Sequence, residues 1–584
     1  MDTKKIHPVA VNFAAPFRMS GSITQAAVIC TISWILWKYF RQVVIKSPLD
    51  NIPGPPTGSF LYGNLRQILN KDGWDFVQHL TDTYPEVARL SGPLGHRMLY
   101  VFDPTALHTI VVKEQYVFEE AKWFIKFNRL RFGPGLLATV GDHHRRQRKM
   151  LNPVFSINHM RHMIPIFDDI GNKLQKAIED RVSASTEPVE LDMLAWMSRT
   201  ALELIGQAGL GYSFDPLVAD SMDEFAGAVK SFGPTLVSIN HLRRLLPYLP
   251  DIGTPAFREK LVDLFPNESV RRTKALSDIM YRRSVEIYRE KVRALELGDE
   301  AVTKQVGEGK DIMSILLRAN MAAADEDKLP QNELIAQIST FIFAAMDTTS
   351  NALAMTLLLL GDHPAVQEKL RKEILEACDG DSDESGRLDY DRLVNLPYLD
   401  AVCRETLRLH SPVTHVFRET VKDAVVPLSQ PIRGVDGQMV HELVIPKDTT
   451  IVIGILSANR NKAVWGEDAM EWKPERWLAP LPESVTDAKV PGVYSNLMTF
   501  MGGGRACIGF KFSQLEMKIV ICVLLSKFTL APSGKKITWN LSNVRFPTVV
   551  GSTKASMPMK IGRYRPSESP VNKQSGLTAA NVGG

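Results

Sequence analysis

Residues 500–509, FMGGGRACIG, place a single cysteine, Cys507, where a sulfur could bind a metal. Gly502, Gly503 and Gly504 precede it, and Gly509 follows two places later. Glycines let a backbone take strained angles and come close to a flat ligand with no side chain between. Arg505 sets a cation two residues from the sulfur, and the run FKFSQLEMKIVICVLLSKF that follows has helical spacing. A cysteine just before a helix N-terminus, beside a cation, is held toward the thiolate. A thiolate in a loop that clears a planar surface is what an axial ligand to haem iron requires. Taken singly, a cysteine is most often a small buried hydrophobe. Here Phe500, Gly503, Arg505, Cys507 and Gly509 complete the spacing F-x-x-G-x-R-x-C-x-G.

Three other groups of residues could take part in chemistry or support it. AAMDTT, residues 344–349, interrupts an apolar helical face made by Leu334, Ile338, Phe341, Ile342 and Ala345. Small residues let another body press on a helix, and Asp and Thr are poor choices for a helix interior. Thr can bond back to the preceding turn and loosen it, leaving a small groove. Glu405 and Arg408 stand three apart, a pair that alone stabilises a helix by about a few tenths of a kcal/mol; Arg476 follows in PERW, residues 474–477. GDHHRRQRKMLNPVFS, residues 141–156, carries His144, Arg145, Arg146, Arg148 and Lys149. By itself that run reads as a basic, solvated helix face.

Together and in this order, these motifs resemble the cytochrome P450 family over residues 51–565. The resemblance implies a mainly α fold with a small β portion, built around haem b with Cys507 as the axial ligand to its iron. Phe500, Gly503, Arg505 and Gly509 then shape the loop that holds the haem. The resemblance gives His144, Arg148 and Arg418 (the last in HVFRET) to the haem propionates, although the family more often has Trp at the His144 position. Asp347 and Thr348 match the acid–alcohol pair of the oxygen-activation motif A-G-x-[DE]-T-T. Ala345 stands where the family usually has Gly, which narrows the oxygen groove. Glu405, Arg408 and Arg476 match a structural triad behind the haem loop, and residues 413–417 line the substrate pocket.

The rest of the chain must position these groups. Its 584 residues are enough for a large core, and the resemblance implies one catalytic domain over residues 59–565. A formal charge of +4, from 69 Lys+Arg and 65 Asp+Glu, is too balanced to argue for nucleic acid. The five cysteines contain no C-x-x-C pair, so neither a zinc site nor a disulfide framework is indicated. Residues 19–37 carry no charge and are followed by aromatic and basic residues. That is a bare minimum for a bilayer span. The alternative, a cleaved signal peptide, lacks a small-residue cleavage site. The expected order is a lumenal segment (1–18), a transmembrane anchor (19–40), a basic and proline-rich linker (41–58), the catalytic domain and a disordered tail (566–584). HLRRLLPYLP, residues 241–250, reads either as a second membrane contact or as a packed loop.

The activity implied is monooxygenation: O2 as co-substrate, electrons from NADPH through an NADPH–cytochrome P450 reductase, and one oxygen atom placed in a lipophilic small molecule. Arg145, Arg146 and Lys149 are candidates to face that acidic partner. The resemblance to fungal microsomal members implies an endoplasmic reticulum membrane location, a cytosolic catalytic domain and a secondary metabolite, with a terpenoid favoured. The alternatives are a haem-thiolate isomerase or dehydratase needing no reductase, a haem protein without turnover, and a redox thiol without haem.

Overall fold

Two apolar cores organise the chain, one among helices and one around a sheet. The computed structural model describes residues 44–565 apart from residues 60, 216, 218–223, 240–241, 243–252, 380–387 and 495, together with scattered positions between 25 and 40.

The sheet core is built on five strands: β1 (Val87–Ser91), β2 (Arg97–Val101), β3 (Phe118–Glu120), β4 (Val416–Thr420) and β5 (Thr450–Ile453). Their order is β1-β2-β5-β4-β3, with β2 and β5 parallel and the other pairs antiparallel. The apolar run MLYV in β2 and the β-branched TIVI in β5 suit central strands. Asp103 ends the β2 segment by accepting the Ala106 N–H at 2.7 Å, capping a short helix. The run HELVIP lies outside this sheet and pairs with Ala424–Arg433 in a separate hairpin.

The helical core is assembled from α1 (Gly141–Leu151), α2 (Ile157–Val182), α3 (Glu268–Leu297), α4 (Gln331–Asp362), α5 (Pro397–Leu409) and α6 (Phe510–Lys527). Helix α4 is the apolar helix that runs through the core. It is buried over most of its length, and Thr349 on it meets Ser513 on α6 with 3.2 Å between the hydroxyl oxygens. Helix α1 places Asp142 in its first turn and Arg148 and Lys149 in its last, in accord with the helix dipole. A hairpin of β6 (Ile537–Asn540) and β7 (Phe546–Val549) lies near the C-terminus of the described chain.

The proline-rich stretch is packed rather than a bare linker. Leu49 and Ile52 are buried in the sheet core, and Asp50 pairs with Arg97 at 2.6 Å and with Arg89 at 3.3 Å. The body of the fold therefore begins near Pro48, ahead of the expected boundary at residue 59.

Most of the expected lumenal segment and anchor, the stretch 241–250 except Leu242, and the tail 566–584 lie outside the described residues. Described positions between 25 and 40 are helical, with Ile29, Trp34, Leu36, Trp37 and Phe40 exposed. Among the described residues, the one helix long and apolar enough to cross a membrane is α4, whose apolar window is mostly buried in protein.

Candidate active site

The cysteine loop is held by backbone geometry. Gly503 has φ of +68°, and a Cβ there would stand 1.8 Å from the carbonyl oxygen of Val111, so only glycine fits. The Cys507 N–H donates to the carbonyl of Phe500 at 2.8 Å, folding the loop back on itself. Gly509 precedes α6, and its N–H donates to the cysteine sulfur.

Cys507 lies deep in the protein yet keeps exposed surface, as a residue lining an internal opening does. Burial pushes its thiol above the usual range, against the opposing pull of the Gly509 N–H and of Arg148. This corrects the expected thiolate bias in two respects. Desolvation outweighs the favourable groups, and the cation acting on the sulfur is Arg148, not Arg505. A bound metal ion reverses the balance, since a coordinating thiol is deprotonated outright.

Arg505 instead turns to Glu119, at 3.0 Å, and to the carbonyl of Thr139, at 2.9 Å. Arg148 donates through Nη1 to the carbonyl of Ala506, one residue before the cysteine, and through Nε to Asn152 at 3.1 Å. Arg418, 2% exposed, pairs with Glu120 at 2.8 Å across the β3–β4 ladder. His144 is buried one turn before Arg148 on the same face of α1. Its imidazole is pushed down to about 3 by burial and by Arg505, Arg148 and Arg418 in turn. The structure thus brings all four expected residues within electrostatic reach of one another.

Three guanidiniums, two carboxylates and a neutral imidazole surround this place, leaving net positive charge in a largely buried setting. Such a setting calls for an anionic group. An open sulfur, a glycine-built loop and these cations fit a flat macrocycle that carries two acids, as haem does.

On α4, Ala344 is exposed among half-buried and buried neighbours, and Thr348 Oγ1 donates back to its carbonyl at 2.7 Å. The side chain of Asn351 donates to the carbonyl of Asp347 at 2.7 Å. Thr348 thus makes the bond back to the preceding turn that AAMDTT allows, beside the exposed Ala344. Ala345 packs partly into the helical core. The Thr349–Ser513 contact joins this helix to α6, the helix that follows the cysteine.

Behind the loop, Glu405 and Arg408 form a fully buried bidentate pair, both bonds 2.8 Å. Arg476 Nε reaches Glu405 at 3.4 Å, and Trp477 Nε1 donates to it at 3.0 Å. The remaining donors of Arg408 go to the carbonyls of Asn459, Ala469 and Glu471.

Four participants were not anticipated. Glu119 and Glu120 are an ordinary acidic pair in FEE, and only strand pairing shows that they face arginines. Asn459 and Trp477 act through hydrogen bonds that no local pattern announces. The surface cations are also less free than their run suggests. Arg145 approaches Asp142 at 4.0 Å, Arg146 approaches Glu333 at 3.7 Å and Lys149 approaches Asp327 at 3.1 Å.

The cytochrome P450 family model matches residues 53–549. The chain is 55% identical to cytochrome P450 monooxygenase 91 of Postia placenta, over 93% of this chain and 99% of the relative. It is 47% identical to ganoderic acid synthetase CYP5150L8 of Ganoderma lucidum, over 93% and 99%. Cytochrome P450 monooxyhenase eriI of Hericium erinaceus is 36% identical, over 92% and 98%.

Proposed function

The chain belongs to the cytochrome P450 family of monooxygenases, and from that premise we propose that it oxidises a lipophilic secondary metabolite with electrons from an NADPH–cytochrome P450 reductase. The observation that carries the reading is Cys507, deep in the fold yet with exposed surface, beside Arg148, which together with Arg505 and Arg418 also acts on the buried His144. Haem held there by Cys507 supplies the redox and oxygen chemistry.

The residues of the chain have separate tasks. Arg148, Arg418 and Arg505 would neutralise the acid groups of the macrocycle, and His144 would donate one N–H to them. The Gly509 N–H steadies the sulfur. Thr348, already bonded to Ala344, holds a hydroxyl proton at the groove, and Asp347 connects that turn to the proton supply. Residues 413–417 close the apolar side where the substrate lies. Glu405, Arg408 and Arg476 keep the loop's supporting wall rigid.

The relative named for ganoderic acid synthesis supports a secondary-metabolite substrate, and we place a terpenoid scaffold first. Exposed apolar residues between positions 25 and 40 support an N-terminal anchor in the endoplasmic reticulum membrane, with the catalytic domain cytosolic. The α1 surface with Arg145, Arg146 and Lys149 is the proposed reductase face. Its cations are shared with local acids, so salt should weaken docking only modestly.

The test is the carbon monoxide difference spectrum of the reduced, haem-supplied protein, for wild type and Cys507→Ala. A thiolate-type Soret band in wild type alone supports the reading. The same band in both removes Cys507 from its role, and no haem binding by folded wild type removes the proposal.

A further inference from the structure

Trp74, His410, Arg460, Trp539 and Arg545 meet at a place that the haem chemistry does not use. Arg460 Nε donates to the carbonyl of Leu409 at 2.8 Å, and the Arg545 backbone N–H donates to the carbonyl of Pro412 at 2.9 Å. Both arginines therefore close on the segment that leads into residues 413–417. The Trp74 ring lies 4.7 Å from the Arg545 guanidinium carbon and 5.9 Å from that of Arg460. Trp539 lies 5.4 Å from that of Arg545, and its carbonyl accepts Trp74 Nε1 at 2.7 Å.

This cluster is short of partners. Arg545 is only 4% exposed, and its Nε and Nη1 have no hydrogen-bond partner. Buried Nδ1 of His410 and Nε1 of Trp539 also lack one. Among the described residues no acid offsets these cations. Burial and then Arg460 bring Arg545 down to about 9, burial and then Arg408 bring Arg460 down to about 10, and burial with the three arginines Arg545, Arg460 and Arg408 pushes His410 well below its usual value. Nearby Arg408, in contrast, has Glu405. Buried cations without a counter-ion are costly, so the arrangement is completed by an anion from outside. His410 and Arg460 lie deep in the protein yet keep accessible surface, which marks the way in.

We propose that Arg545, Arg460 and His410 form a carboxylate-binding site for an apolar acid whose body runs along residues 413–417. The inference rests on the monooxygenase reading, because it names a substrate class for that site. A guanidinium offers a planar fork that matches a carboxylate. Two indoles beside it favour a flat group over a tetrahedral phosphate or sulfate.

The test uses the haem-loaded full chain at pH 7. Acetate, compared with chloride at equal ionic strength, should raise Tm by about 2 °C or more at saturation. Arg545→Met should abolish that response, and Arg545→Lys should keep part of it. Because Met removes an unpaired buried charge, the anion-free variant should be no less stable than wild type. No acetate response in wild type, or an undiminished one in Arg545→Met, overturns the proposal.

Two sources of the carboxylate are then separated by the haem absorption shift with dodecanoate and with dodecanol. Dodecanoate binding at least about tenfold tighter, with the difference erased in Arg545→Met, assigns the acid to the substrate. An acetate response without that difference assigns the site to a free small acid and overturns the substrate assignment. The carbon monoxide spectrum of the same samples keeps the two readings apart: a thiolate-type band beside a missing carboxylate response overturns this inference only.

Discussion

The side chain of Asn459 accepts the Met498 N–H at 2.7 Å and donates to Thr499 Oγ1 at 2.8 Å, while its carbonyl receives Arg408 Nη1 at 3.0 Å. One residue thus joins the buried Glu405–Arg408 pair to the start of the cysteine loop. Asn459→Ala leaves these buried groups short of partners, at a cost of about 1–3 kcal/mol. Haem should then be lost at lower denaturant concentration than wild type requires, ahead of the loss of helix. Circular dichroism and Soret absorbance in one titration measure both. Coincident loss would place Asn459 in the general fold and not in the loop's support.

Glu405→Gln should be more damaging. Arg408 and Glu405 are both 0% exposed, so removing one charge strands the other. The expected loss is about 3–5 kcal/mol, seen as a lower denaturation midpoint and a poor yield of haem-loaded protein. A variant as stable as wild type would show that the carbonyls of Asn459, Ala469 and Glu471 suffice for Arg408.

Thr348→Ala removes the hydroxyl bonded to the Ala344 carbonyl but leaves the apolar helix intact. Haem content should stay constant while hydrogen peroxide formed per NADPH consumed rises severalfold. Thr348→Ser should restore much of the coupling. Peroxide yield unchanged in the Ala variant would take this hydroxyl out of proton handling.

Glu86 supplies a pH dependence. Burial and the nearby Asp103 push its carboxyl up to about 7 from the ordinary 4.5, against an opposing hydrogen bond from Asn461. The folded protein therefore holds a proton that the unfolded chain releases. This contribution is complete below about pH 4.5 and is lost as pH rises through 7, at most about 3 kcal/mol in all. Glu86→Gln should flatten that slope, so the stability difference between variant and wild type should grow in the variant's favour from pH 5 to 8. Urea midpoints across that range measure it. A parallel pair of curves would mean that Glu86 ionises as freely as in the unfolded chain.

What could be read before the structure was local. The cysteine loop and the spacing of Glu405 to Arg408 sit within one turn or one short stretch, where residue type and interval decide geometry. The long apolar period of α4 was legible for the same reason. The pairing of Glu120 with Arg418 was not, because it depends on β3 lying beside β4 across almost 300 residues. The parallel pairing of β2 with β5 is still more distant in sequence. The pairing of Met439–Ile445 with Ala424–Arg433 was hidden for the same reason: alternation marks a strand but names no partner. The depth of Cys507 was not legible, because a sequence shows adjacent charges but not burial.

Leu49 and Ile52, docked in the sheet core, also set a length. If the proposed anchor ends near Phe40, residues 41–48 are all that tie it to the folded body. Fully extended they reach about 30 Å, well under the roughly 60 Å breadth implied by the size of such a domain. With that anchor in place, so short a leash would keep the body from swinging far from the bilayer. The sheet-bearing side would then stay near the lipid surface, where substrates partitioned into lipid would meet it.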